Sequence, residues 1–90
     1  MKFLVMWSWS NENSQKVTER FSKWTSLPET RFLYPIHTVI GANWAFCISE
    51  ADSAEAIAME VQPWTDICTY EILPIMDSRE LVAALMKRRT

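Results

Sequence analysis

The chain has 90 residues, of which 49 % are hydrophobic and 22 % charged, with a formal net charge of −2. This suits one globular domain over residues 1–90, near the lower end of independent stability, where roughly 60–70 % of the unfolded chain's surface can be buried. It excludes a disordered chain, and it withholds the cationic surface that dominates nucleic-acid binding.

Residues 1–9 read as a strand that is apolar on both faces, because Phe3, Val5, Trp7 and Trp9 alternate with Leu4 and Met6. Such a strand needs cover on two sides, and so short a chain has helices for one. Asn11 to Ser14 then offer capping side chains, and Val17, Phe21 and Trp24 form one stripe of a helix running to about Thr25. Ser26-Leu27-Pro28 ends it. From Arg31 to Ile40 the pattern is β-rich, Gly41-Ala42-Asn43 reads as a hairpin turn, and Trp44 to Ile48 returns as a third strand. Asp52 and Glu55 form a capping-box arrangement before Ala54, Ile57, Ala58 and Val61, a helix that Pro63 closes. Cys68 to Met76 is a fourth strand, and Ser78 can cap a last helix with the stripe Leu81, Val82, Leu85 and Met86. Lys87-Arg88-Arg89, the basic cluster of the chain, complements the negative end of that helix.

The order βαββαβ plus a terminal helix predicts an α+β protein with an antiparallel sheet in the order 4-1-3-2 and its two main helices on one face. The prolines test this order. Pro35 and Pro74 fall in the second and fourth strands, which it assigns to the sheet edges, while the doubly paired first and third strands contain none. With a three-residue hairpin loop at Gly41 to Asn43, Trp44, Phe46 and Ile48 join Phe3, Val5 and Trp7 toward the helices. The opposite face then carries Leu4, Met6, Ser8, His37, Val39, Cys47, Ser49, Glu71 and Leu73. A two-residue loop at Gly41-Ala42 reverses the relative parity of the hairpin.

Met1-Lys2-Phe3-Leu4-Val5-x-Trp7, Phe21-x-Lys23-Trp24, His37, Glu50-Ala51-Asp52, Pro63-Trp64-Thr65 and Tyr70-Glu71-Ile72-x-Pro74-Ile75-x-Asp77 follow one another in an order and spacing that resembles the DUF3303 family. The resemblance covers nearly the whole chain. It departs near the hairpin, where the usual glycine-rich turn is reduced to Gly41 and Ile36 stands where an aromatic residue precedes His37. The resemblance implies a ferredoxin-like protomer of the dimeric α/β-barrel superfamily, in which two sheets pack face to face. It implies no activity, since that superfamily includes cofactor-independent monooxygenases, lactone isomerases, haem enzymes and proteins with no known reaction.

His37, the sole histidine, is the candidate catalytic residue, because imidazole is readily poised near neutral pH for proton transfer. His37 and its expected company, Met6, Ser8, Cys47, Ser49 and Glu71, make up the candidate ligand-binding set. His37 and Glu71 lie on opposite edge strands, about 14 Å apart at three spacings of about 4.8 Å, so they can meet only across a partner sheet. Cys47 and Cys68 are expected about 9–10 Å apart, beyond disulfide reach, as reduced thiols of a cytoplasmic protein. Their spacing offers no zinc site, one glycine cannot build a phosphate loop, and nothing around His37 reads as a haem pattern, so no metal or cofactor is expected.

Asn43 to Ile48 loosely matches an RNA-recognition strand but lacks its leading basic residue, its glycine and its final aromatic, and RNA is not expected as a partner. No membrane is expected either: no apolar run approaches roughly 20 residues, and no charged-then-apolar leader with a small-residue cleavage site opens the chain. The expected partner is a second copy, through the sheet face, with a small apolar ligand between. The reading is a binding or structural module without an assigned reaction. The alternative is a cofactor-independent monooxygenase or isomerase of a small apolar or aromatic compound, using His37.

Overall fold

The computed structural model describes residues 1–89. The strands are β1 (Lys2–Ser8), β2 (Thr30–Thr38), β3 (Trp44–Ala51) and β4 (Thr69–Ile75), and the helices α1 (Ser14–Ser22), α2 (Ala54–Val61) and α3 (Ser78–Arg89). The strands form one antiparallel four-stranded sheet in the order β2-β3-β1-β4, which is 4-1-3-2 read from the other edge. Pro35 and Pro74 do lie on the edge strands. Pro35 falls inside an irregularity of the β2–β3 ladder between Tyr34 and His37, where its missing N–H removes no regular ladder bond.

Local chemistry sets the helix ends, and two caps fall on a neighbour of the expected residue. Ser53 caps α2 by accepting the Ala56 N–H at 3.2 Å, in place of the box on Asp52 and Glu55. Asp77, and not Ser78, caps α3: its Oδ1 accepts from the N–H groups of Arg79 (2.8 Å) and Glu80 (3.4 Å). A carboxylate there also suits the positive end of the helix. Before α1 the chain makes one 3₁₀ turn at Asn11–Asn13 without a side-chain cap; Asn11 instead accepts from the Asn43 amide, tying that turn to the hairpin.

One residue of hairpin register decides the character of both sheet faces. The Val39 N–H donates to the Trp44 carbonyl at 3.0 Å, and the Ala42 N–H closes a turn onto the Val39 carbonyl at 3.3 Å. Gly41 is the third residue of that turn with φ +82°, the left-handed value a type II turn requires there. Thr38 therefore faces Ala45 and His37 faces Phe46, the reversed parity. The face assignment drawn from a three-residue loop is overturned for β3, since a slip of one residue turns every side chain of a strand over. Ala45, Cys47, Ser49 and Ala51, all 4 % exposed or less, lie on the helix side with Phe3, Val5 and Trp7. Trp44, Phe46 and Ile48 lie outward beside Ser8, Met6 and Leu4.

The core on the helix side has two clusters. Phe3, Val5, Cys47, Ala51 and Ile57 join the sheet to α2, while Val17, Trp64, Ile67 and Cys68 join α1 to the segment after α2. Trp7 and Tyr70 pack against both, their rings stacked at 5.5 Å. By contrast α3 extends away from this body. Its stripe of Leu81, Val82, Leu85 and Met86 is 46 to 57 % exposed. The radius of gyration is 15.5 Å and the longest extent 54 Å, against the radius of about 12 Å expected of a compact chain of this length.

Candidate functional site

The small inward residues of β3 leave space beneath the helices, and the surrounding aromatic residues wall it without filling it. The result is a cavity of about 280 Å³ between the sheet and α1 and α2. Its floor is Ala45, Cys47 and Ser49. Its walls include Trp7, Trp9, Trp24 and Trp64, four of the five tryptophans of the chain. Trp24 stands edge-on to Phe32 (6.1 Å) and to Trp64 (6.4 Å) and stacks on Phe21 (5.6 Å), so the wall is a continuous aromatic set. Thr38 and Phe21, both exposed, lie where the cavity meets solvent.

Polar contacts hold this wall in position. Arg20 of α1 makes two parallel bonds to Asp66 (2.8 and 3.0 Å), donates to the Pro63 carbonyl (3.0 Å) and lies 5.6 Å over the Trp64 ring. The Arg20 guanidinium holds the Asp66 carboxyl below the usual carboxylate range. Glu60 accepts from the Leu27 N–H (3.0 Å) and the Thr30 hydroxyl (3.1 Å), drawing the loop before β2 onto α2.

The charged side chain in the cavity lining is Glu60, whose two carboxylate oxygens are taken by the Leu27 N–H and the Thr30 hydroxyl, so a guest meets mostly neutral groups. Burial pushes the Cys47 thiol up, a rise partly opposed by its hydrogen bond to Ser49 (3.4 Å), so Cys47 stays a protonated, weakly polar thiol. Burial likewise keeps the Tyr70 phenol protonated. Trp9 brings an unmet donor: its indole N–H is buried and has no acceptor among the described residues. A buried donor left in that state costs about 1–3 kcal/mol, which an acceptor on a guest molecule would recover. The arrangement suits a flat, neutral, mostly apolar molecule with an acceptor atom. A cavity of about 150 Å³ accommodates benzene, so this one has room for about two fused rings.

The sequence-derived candidates divide between the two faces. Met6, Ser8, His37 and Glu71 lie on the open face, whereas Cys47 and Ser49 lie on the helix side as part of the cavity floor. His37, Phe46, Met6 and Glu71 form one row across the sheet. His37 stacks on Tyr34 at 4.8 Å, and its Nδ1 donates to the Pro35 carbonyl at 2.8 Å. Met6, Ser8 and Glu71 line a shallow depression of about 560 Å³ beside Trp44, which His37 does not reach. Cys47 and Cys68 are free, buried and in different core clusters. Among the described residues no group of three His, Cys, Asp or Glu stands close enough to hold a metal ion, and no helix is long and apolar enough to cross a membrane.

The tryptophans and Phe32 were not among the candidates. The signal for them was the alternation of small Ala45, Cys47, Ser49 and Ala51 with bulky Trp44, Phe46 and Ile48, which marks where one sheet face has room. Fold and site together define an α+β protein with a βαββαβ core and an aromatic cavity between sheet and helices. The chain belongs to DUF3303, a domain of unknown function whose family profile matches residues 1–89. No curated protein matches it.

Proposed function

We propose that this protein is a small binding module that takes a neutral, flat, largely apolar molecule into the cavity between its sheet and its helices. The observation that carries this reading is the 280 Å³ cavity walled by tryptophans. A core with no guest to hold fills such a space, since interiors pack to crystal-like density. The module works as a ferredoxin-like protomer of a homodimeric α/β barrel, joined through the open face. Support for that assembly is the exposure of Trp44, Tyr34, Leu73 and Ile75 on one side of the sheet, each at least 37 % exposed. Its compartment is the cytoplasm, which suits two free thiols. The enzymatic reading, with His37 as acid or base for a monooxygenase or isomerase, draws no support from the cavity, because His37 is not part of its lining.

The test is a titration of naphthalene and of 2-naphthol, followed by tryptophan fluorescence. At about 0.5 kcal/mol per heavy atom, a guest of about ten atoms binds with a Kd of about 0.2 mM. A saturable change is expected, tighter for the naphthol because its oxygen can accept from Trp9, and abolished when Thr38→Trp closes the cavity mouth. A linear, non-saturating response with both compounds overturns the reading.

A further inference from the structure

The open face carries charges in an arrangement that distinguishes one way of joining two copies from the other. Its side chains fall into rows across β2, β3, β1 and β4. The first row is Arg31, Glu50, Lys2 and Ile75; the second is Tyr34, Ile48, Leu4 and Leu73. The third is His37, Phe46, Met6 and Glu71, and the last is Val39, Trp44, Ser8 and Thr69. Two identical sheets stacked face to face can be related by a twofold axis lying between them, either across the strands or along them.

An axis across the strands sets each strand on its own copy. Glu50, paired with Arg31 on its own sheet, then meets the partner's Trp44, and Lys2 meets the partner's Ser8; Glu71 meets the partner's Leu73, so its carboxylate is buried against an apolar group at considerable cost. An axis along the strands sets each row on the same row reversed. His37 then faces the partner's Glu71, Glu50 faces the partner's Lys2, and Trp44 faces the partner's Ser8, large against small, while Arg31, at the sheet edge and paired with Glu50 on its own sheet, comes to the partner's Ile75. Phe46 meets the partner's Met6, and Ile48 meets the partner's Leu4.

We infer that a second copy of this chain docks on the open face about a twofold axis along the strands, with reciprocal His37–Glu71 pairs setting the register. This rests on the dimeric reading above and specifies its geometry. Sheets pack about 10 Å apart, which an imidazole and a glutamate reaching from opposite sides can span. The pair sits about 7 Å from the axis, and the usual angle of about 30° between packed sheets displaces it by about 4 Å, within the range of the glutamate side chain. Because Nδ1 of His37 already donates to the Pro35 carbonyl, Nε2 can donate to the partner's carboxylate in the imidazolium form, in which both ring nitrogens carry a proton. On the sheet itself the neighbours of His37 are the uncharged Tyr34 and Phe46, and those of Glu71 include Met6 and Ser8. The flat face measures about 19 by 23 Å, so with side-chain relief it approaches the about 600 Å² per partner at the low end of stable interfaces. An interface of that size depends on its charge register for specificity.

His37 and Glu71 lie about 14 Å apart within one protomer, too far to interact, so any coupling between them must run between subunits. The experiment mixes the variants His37→Glu and Glu71→Lys in equal amounts and counts species by native mass spectrometry, with circular dichroism confirming that each is folded. Separately, each variant is expected to dimerise about tenfold more weakly than the wild type. In the mixture the heterodimer restores every opposite-charge pair, and it is expected to exceed the half share that random pairing gives. A 1:2:1 distribution alongside a dimeric wild type overturns the register and leaves the dimer standing; a monomeric wild type overturns both.

Discussion

Substituting Gly41 tests the turn on which both faces depend. Gly41 has φ +82°, and a Cβ built there meets nothing within 4 Å, so the whole effect of Gly41→Ala is conformational. A left-handed backbone costs an L residue about 1–2 kcal/mol. Alanine also restricts the unfolded chain, which returns about 0.4–1 kcal/mol. The net expectation is a loss of about 1 kcal/mol, or about 4–8 °C in Tm for a domain of this size. Urea unfolding followed by far-UV circular dichroism measures it. Gly41→Asn should recover part of the loss, because asparagine tolerates the left-handed region. An alanine variant as stable as the wild type, with asparagine no better than alanine, refutes the reasoning.

Three further outcomes are expected. Asp66 is held below the usual carboxylate range by Arg20, so the pair contributes stability above the unfolded carboxyl's pKa and loses it as pH falls through the lower folded value. Arg20→Met should therefore lower Tm at neutral pH and flatten its decline as pH falls below the ordinary carboxylate range, as read by thermal melts at descending pH. Cys47 is buried with its thiol pushed up, so a disulfide reagent such as DTNB should modify it slowly in the native protein and rapidly in urea, with 2-naphthol slowing the native rate further. Phe46→Asp puts a carboxylate at the centre of the open face, and for the dimer proposed above sedimentation should show an affinity reduced by at least about 2 kcal/mol, with tryptophan binding signals retained.

The strand order was legible because Pro35 and Pro74 exclude their strands from the sheet centre whatever the other residues do. His37 outward and Phe3, Val5 and Trp7 toward the helices were expected from a three-residue hairpin loop, and they hold although that loop does not, because the reversed parity turned over β3 alone. The facing of β3 was not, because bulk favours Trp44, Phe46 and Ile48 as core while the turn at Val39–Ala42 commits them to the other side. Local hydrophobicity cannot decide a parity that is set by the length of a loop. That single reversal moved Cys47 and Ser49 out of the expected interface and into the cavity floor. The aromatic wall was hidden for a different reason: Trp24 and Trp64 come from separate parts of the chain, brought together where α1 meets the segment after α2 and Arg20 reaches across to Asp66 and Pro63.

The outlying position of α3 has a consequence for how the protein reports its own state. Twelve residues is near the length at which an isolated helix is marginal in water, and the stripe at Leu81, Val82, Leu85 and Met86 gains little from the body it leaves. Its backbone amides should then exchange with solvent almost as fast as those of a free peptide, unlike those of β1 at the sheet centre. When something covers the stripe, that exchange slows without any change at the sheet, so α3 is a built-in sensor of occupancy that hydrogen exchange can read one amide at a time.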